Sequence, residues 1–113
     1  MHTAEYWRER LLSEKQELET LSDGARESRA AVELDQQGVG RLSRMDAMQQ
    51  QAMSVASERR RRMRIGQIEA AIKRLETDDF GYCIRCGEPI AEERMSADPA
   101  NTLCLECAGK PRR

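Results

Sequence analysis

The sequence predicts a mainly α fold, in which a long antiparallel two-helix hairpin of the coiled-coil type carries a small C-terminal four-cysteine zinc finger. Charged residues make up 35% and aromatic residues 4% of the 113 residues, which suits solvated helices with a narrow apolar seam. Apolar residues recur every three or four positions as far as residue 75. All four cysteines follow that region, in two C-x2-C pairs. Such a chain cannot bury a large globular core.

The first helix is predicted over residues 3–36. A glycine at position 24 costs about 1 kcal/mol relative to alanine in a helix, but we expect the helix to continue through it. Its apolar stripe follows coiled-coil spacing and consists of Trp7, Leu11, Leu18, Leu21, Ala25 and Val32.

The second helix is predicted over residues 44–77, after a tip at residues 37–43. The sequence GVG at 38–40 is typical of a helix end. Ser43 can cap the next helix, and Asp46 stands three residues on, as in a capping box with Asp in place of Glu. The helix carries two apolar stripes that differ in phase by one residue: Met45, Met48, Ala52 and Val55, then Ile65, Ile68, Ile72 and Leu75.

Two helices of similar length joined by a short glycine loop favour an antiparallel hairpin over residues 1–79. Each helix would be about 50 Å long at ~1.5 Å per residue. A bend near residue 41 pairs Trp7 with Leu75, and the apolar ends of both helices then coincide. We expect a monomer, and the rival is a parallel dimer that pairs the same stripe between chains.

A zinc finger is predicted over residues 80–108, followed by a flexible tail at 109–113. Cys83 and Cys86 are separated by 17 residues from Cys104 and Cys107, a spacing within the range of zinc sites. Four thiolates complete a tetrahedral shell and leave no position for water, so one structural zinc ion per chain is expected. A disulfide pair or a redox C-x2-C remains the alternative. Neither a Ser/His nor a Cys/His nucleophile pair is available, which argues against an enzyme.

The finger resembles that of the DksA/TraR family of bacterial transcription regulators. The shared frame is C-x2-C-G-x2-I-x3-R, then a proline, then C-x2-C, and it falls on Cys83, Cys86, Gly87, Ile90, Arg94, Pro99, Cys104 and Cys107. The resemblance implies that the hairpin binds RNA polymerase in its secondary channel, without binding promoter DNA, and that the zinc is structural. The alternative is a zinc-headed helical adaptor that binds another protein or RNA.

The predicted tip departs from the family pattern. Its best-known members carry D-x-x-D-x-A there, and the matching positions in this chain hold Gly40, Ser43 and Met45. We therefore expect a recognition tip whose effect differs from that of acidic-tipped members, or a tip that merely starts the second helix. The partner-binding residues predicted at this tip are Arg41, Ser43, Arg44 and Asp46.

Guanosine tetraphosphate should act weakly or not at all on this chain. The family resemblance implies that responsive members have basic residues where this chain has Asp98 and Ala108. A phosphate ligand would lose a cationic partner at both positions.

The basic run RRRRMR at Arg59–Arg64 limits the choice of binding partner. Helical periodicity spreads these arginines around the helix, across from Glu17, Glu19 and Asp23. A solvated, partly paired face is therefore favoured over contact with an acidic protein groove and over contact with nucleic acid.

The N-terminus has no apolar run for a signal peptide, and no segment reaches the ~20 apolar residues of a membrane span. A cytoplasmic protein is predicted.

Overall fold

The computed structural model describes residues 2–35 and 41–109, with side chains described for residues 2–26 and 44–109. Four helices follow one another: α1 (Ala4–Asp35), α2 (Arg41–Glu76), α3 (Glu92–Ala97) and α4 (Leu105–Ala108). Within those ranges no extended strand forms, and Tyr82 and Pro89 make an isolated antiparallel bridge. The predicted mainly α fold is confirmed. A search of the described helices finds none that combines the length and the apolar content needed to cross a bilayer.

The chain packs as two compact units. Unit 1 contains Met1–Glu14 and Gly66–Arg113, and unit 2 contains Lys15–Ile65. The residues of the predicted finger therefore pack in the same unit as the first turns of α1 and the last turns of α2. The division into domains at residues 1–79 and 80–108 stays a prediction.

Helix α1 begins at a threonine cap. The Tyr6 N–H donates to Thr3 Oγ1 at 3.2 Å, which satisfies one of the free amides at the helix start, and the Trp7 N–H donates to the Thr3 carbonyl at 3.3 Å as the first hydrogen bond of the helix. The helix spans Ala4–Asp35 and passes through Gly24 without a break.

Helix α2 begins at Arg41, three residues before the predicted start. The prediction that Ser43 and Asp46 form a capping box is wrong, because Ser43 lies inside the helix and its first turn contains no acidic residue. Arg41 and Leu42 are good helix formers, which accounts for the earlier start. The side chains of Arg41 and Ser43 lie outside the described residues.

Helix α2 ends in a Schellman-type turn. Asp78 takes the left-handed conformation, with φ of 62°, at a position where glycine is usual. The N–H groups of Asp79 and Phe80 both donate to the Arg74 carbonyl, at 3.0 and 3.2 Å. This turn ends the helix and leads the chain into the finger.

The apolar core of unit 1 lies between the start of α1, the end of α2 and the finger. The Trp7 ring packs against Phe80, with ring centroids 5.6 Å apart, and lines one cleft with Leu75, Ile90 and Met95. Leu11 is 1% exposed and Ile68 is fully buried. Because Trp7, Leu11, Ile68 and Leu75 all belong to the predicted stripes, these ends of the stripes form the core as expected.

Unit 2 has polar side chains within a seam that was predicted to be apolar. Ser22 is buried, and its hydroxyl accepts a hydrogen bond from Arg61 Nε at 3.3 Å. Arg61 Nη2 also pairs with Glu58 Oε2 at 3.0 Å, and the two side chains are 19% and 13% exposed. Leu21, predicted in the seam, is 58% exposed. Ser22 thus holds the inward position that was predicted for Leu21, while Leu18 and Ala25 of the predicted stripe are half-buried.

The N-terminal stripe of α2 was also placed on the wrong face. Met45, Met48 and Val55 are 70%, 69% and 48% exposed. The half-buried positions of the same stretch are polar or small: Ala47, Ser54, Ser57, Glu58 and Arg61. Because a one-residue shift rotates the buried face by about 100°, the predicted stripe lies away from the seam.

Candidate metal centre

The first cysteine pair lies in a tight turn that begins at Gly81. The Cys83 N–H donates to the Glu88 carbonyl at 2.8 Å, and the Gly87 N–H donates back to the Cys83 carbonyl at 2.9 Å. Gly87 has φ of 78°, in the left-handed region that favours glycine. The Ile90 N–H closes the turn on the Gly81 carbonyl at 2.7 Å. The glycine after the second cysteine therefore permits the chain reversal that brings Cys83 and Cys86 together.

The second cysteine pair lies at the start of α4. Cys104 is the cap of this short helix, and its sulfur accepts a hydrogen bond from the Cys107 N–H at 3.5 Å. The Ala108 N–H donates to the Cys104 carbonyl at 2.9 Å. One helical turn thus points the Cys104 and Cys107 side chains towards the same point.

Three hydrogen bonds hold the finger in the conformation that brings the two cysteine pairs together. The Ile84 N–H donates to the Thr102 carbonyl at 2.9 Å, and Arg85 Nη1 donates to the Cys107 carbonyl at 3.2 Å. Arg94 Nε donates to the Leu103 carbonyl at 2.9 Å. Because the acceptors are backbone carbonyls in or next to the second pair, these donors fix the main chain on which that pair is mounted.

The four sulfurs form one cluster, with all Sγ atoms within 4.8 Å of one another. The Cys86 and Cys104 sulfurs are 3.8 Å apart. Tetrahedral zinc with Zn–S bonds of about 2.3 Å places its sulfurs ~3.8 Å apart, so the spacing fits a single ion. Cys83 and Cys107 are buried, Cys104 is half-buried and Cys86 is exposed.

The protonation behaviour of the cluster also suits a metal. Burial, the largest single influence on the Cys83 thiol, raises its pKa, but the backbone amides of Cys104, Cys86 and Arg85 outweigh it and lower the pKa to about 6. The neighbouring Cys104 thiol, followed by burial, raises the pKa of Cys107 to about 12. Four thiolates so close together repel one another, and a divalent cation offsets that repulsion. The site can therefore hold zinc with four thiolates, which leaves no open position for a substrate.

The proposed tip residues have no comparable site around them within the described part of the chain. Arg44 and Asp46 are exposed on the first turns of α2, whereas Arg41 and Ser43 have no described side chains. Their role in partner binding stays a prediction.

The arginine run is partly paired within its own helix. Glu58 receives Arg61 Nη2 at 3.0 Å and Arg62 Nε at 3.1 Å. The Arg62 hydrogen bond is the largest cause of the lowered pKa of Glu58, about 2, and the Arg61 and Ser22 hydrogen bonds lower it further against the opposing effect of burial. Sequence reasoning did not find this Ser22–Glu58–Arg61 cluster, since polar residues at seam positions resemble gaps in an apolar stripe.

Known proteins match the finger and the whole chain separately. Residues 78–113 match the family described as prokaryotic dksA/traR C4-type zinc finger. The RNA polymerase-binding transcription factor DksA of Haemophilus influenzae is 44% identical over 56 residues, which is 50% of this chain and 39% of that protein. The chain thus spans well under half of that relative.

Two further matches extend along nearly the whole chain. The protein of the same name from Caulobacter vibrioides is 29% identical over 114 residues, covering 96% of this chain and 75% of that protein. The solved structure of transcription factor DksA2 from Pseudomonas aeruginosa aligns with a TM-score of 0.82 at 26% identity, over 93% of this chain and 79% of that one. With a C4-type family match on the clustered cysteines, the cluster is a structural site for one zinc ion.

Proposed function

We propose that this chain, a DksA-like member of the DksA/TraR family of C4-type zinc-finger proteins, binds RNA polymerase and regulates transcription. The observation that carries the proposal is the match to a relative named as an RNA polymerase-binding factor over 96% of this chain. That match includes both long helices as well as the finger.

The zinc in this proposal has a purely structural role. The four cysteines supply all four ligands, so the ion holds the finger together and offers no site for catalysis. The protein then acts by binding, as a monomer in the cytoplasm, without sequence-specific DNA contacts and without catalytic activity of its own.

Binding through the secondary channel of the polymerase follows from the family resemblance. In this proposal the residues around the start of α2, Arg41, Ser43, Arg44 and Asp46, contact the enzyme. Arg44 and Asp46 are exposed, and Asp46 is not needed to cap the helix, since α2 begins five residues before it. Guanosine tetraphosphate is expected to act weakly, because Asp98 accepts the Ala100 N–H at 3.0 Å and adds negative charge where phosphate would bind.

The test is equilibrium binding of the zinc-loaded chain to purified bacterial RNA polymerase, followed by transcription in vitro. We expect saturable binding and a change in transcript yield from at least some promoters. A chain that binds RNA or an unrelated protein, with polymerase neither bound nor affected, would support the adaptor alternative.

Variants of the start of α2 test the tip separately. Arg44→Ala should change the free energy of unfolding by less than about 0.5 kcal/mol, as is usual for an exposed side chain, and should weaken the effect on transcription. If Arg41→Ala, Ser43→Ala, Arg44→Ala and Asp46→Asn all regulate like the parent, the tip does not contribute.

A further inference from the structure

Helix α2 carries an exposed stripe with the spacing of a helix-packing surface. Met45, Met48, Ala52 and Val55 follow one another at intervals of three, four and three residues, and the same alternation continues to Arg59 and Arg62. We call these six residues the outer stripe. Such spacing places side chains along one side of a helix.

The outer stripe is not used by the packing within the described part of unit 2. Met45 and Met48 are 70% and 69% exposed, and the Arg62 side chain is 69% exposed. In the same unit the inward positions include Ser22, Glu58 and Arg61. Between residues 44 and 62, α2 thus turns small and polar side chains inward and its methionines and Val55 outward, the reverse of what folding alone favours.

From this inversion we propose that the outer stripe is a docking surface for another protein. The contacting surface of that partner is an apolar strip flanked by carboxylates. Flexible methionine side chains suit contact surfaces that adapt to a partner. Arg59 and Arg62 extend the apolar part into a basic one, and Arg44 adds a further cation beside Met45 and Met48. The outer stripe itself carries no carboxylate, and the neighbouring Glu58 already pairs with Arg62 at 3.1 Å, so a partner's carboxylates would face Arg44 and Arg59.

The charge of the stripe favours a different protein over a second copy of this chain. Pairing two outer stripes would bring arginines together, with Glu58 of each chain already engaged by its own Arg61 and Arg62, which opposes association. This inference rests on the proposed function. If that function is right, the complementary surface belongs to RNA polymerase, and the outer stripe is the face of α2 that contacts the enzyme.

Met53 provides a matched control for the methionines of the stripe. It is 70% exposed, like Met45, and lies on the same helix. At ~100° per residue it projects about 140° away from Met48 and about 80° away from Met45. Met45→Gln/Met48→Gln therefore removes apolar surface from the stripe, and Met53→Gln removes apolar surface of the same kind from another side.

The experiment measures equilibrium binding of each zinc-loaded full chain to purified RNA polymerase, with helical content and zinc content checked first. The double variant should bind about tenfold or more weakly, as for residues in the centre of an interface, and Met53→Gln should stay within about twofold of the parent. Arg59→Gln should weaken binding and reduce its dependence on salt.

The outcomes distinguish this inference from the proposed function. If the parent binds and the double variant binds equally well, the outer stripe is not the docking surface, although the proposed function stands. If folded parent does not bind polymerase at all, both fail. A dimer in sedimentation of the parent alone, lost in Met45→Gln/Met48→Gln, would assign the stripe to self-association and overturn the inference.

Discussion

Two adjacent leucines of α1 provide a direct test of the packing in unit 1. Leu11 is 1% exposed, whereas Leu12 is 45% exposed. Replacing leucine by alanine removes three carbons, worth about 2.4 kcal/mol if fully buried, at ~0.8 kcal/mol per carbon. Leu11→Ala also leaves a cavity, so we expect it to lower the free energy of unfolding by about 3 kcal/mol. Leu12→Ala should cost about 1 kcal/mol, because nearly half of its surface is already in water.

The comparison is made by urea unfolding at neutral pH with zinc present, monitored by circular dichroism. Both variants place alanine at neighbouring positions of one helix, so helix propensity largely cancels between them. A midpoint that falls about equally for the two variants would refute the inward orientation of Leu11. A larger loss for Leu12→Ala would mean that α1 is rotated from the orientation described above.

Three other predictions concern the metal, the polar seam and the backbone. Freshly purified, reduced protein should contain one zinc per chain by elemental analysis, and a chelator should unfold the finger but leave much of the helical signal; a metal-free preparation would contradict the site. Glu58 has a pKa of about 2 against an ordinary value of 4.5, so its contribution to stability is complete above pH 4.5 and is lost as the pH falls towards 2. In acid unfolding, the Glu58→Gln variant should lack this pH-dependent loss of stability. Identical curves of stability against pH for variant and parent would count against the Glu58 ion pairs. Gly24→Ala should stabilise the protein by about 0.5–1 kcal/mol and Gly87→Ala should destabilise it by about 1–2 kcal/mol, since both positions have room for a Cβ but only Gly87, at φ of 78°, has a left-handed backbone. Denaturation midpoints that shift in the same direction for Gly24→Ala and Gly87→Ala would refute this prediction.

The metal site could be predicted from sequence because its chemistry is local. Each C-x2-C pair sets the distance between its own two sulfurs within one turn, so only the meeting of the two turns depended on the fold. The sequence did not predict which contacts would join them. The Ile84–Thr102 hydrogen bond and the Arg94 contact with the Leu103 carbonyl depend on chain reversals that have no periodic pattern.

The inward face of α2 was harder to predict, because an apolar repeat looks the same in sequence whether it packs inside the protein or lies on its surface. Met45, Met48 and Val55 satisfy a coiled-coil pattern as well as Ile68 and Leu75 do, yet only the later residues contribute to the core of unit 1. The inward positions of α2 between residues 44 and 62 are small or polar and gave no apolar periodicity to detect. The phase difference between the two stripes was the one feature of the sequence that indicated two surfaces.

The packing of Trp7 gives the molecule a built-in optical probe. It is the chain's one tryptophan, and it is 7% exposed, with Phe80 on one side and the Arg10 guanidinium 5.8 Å from its ring centroid. Its emission should therefore be blue-shifted in the folded protein and shift to the red when unit 1 opens. Far-ultraviolet ellipticity, by contrast, measures the helices of both units. Thermal transitions that coincide in fluorescence and ellipticity would show cooperative unfolding, whereas ellipticity lost before any red shift would show that residues 15–65 melt first.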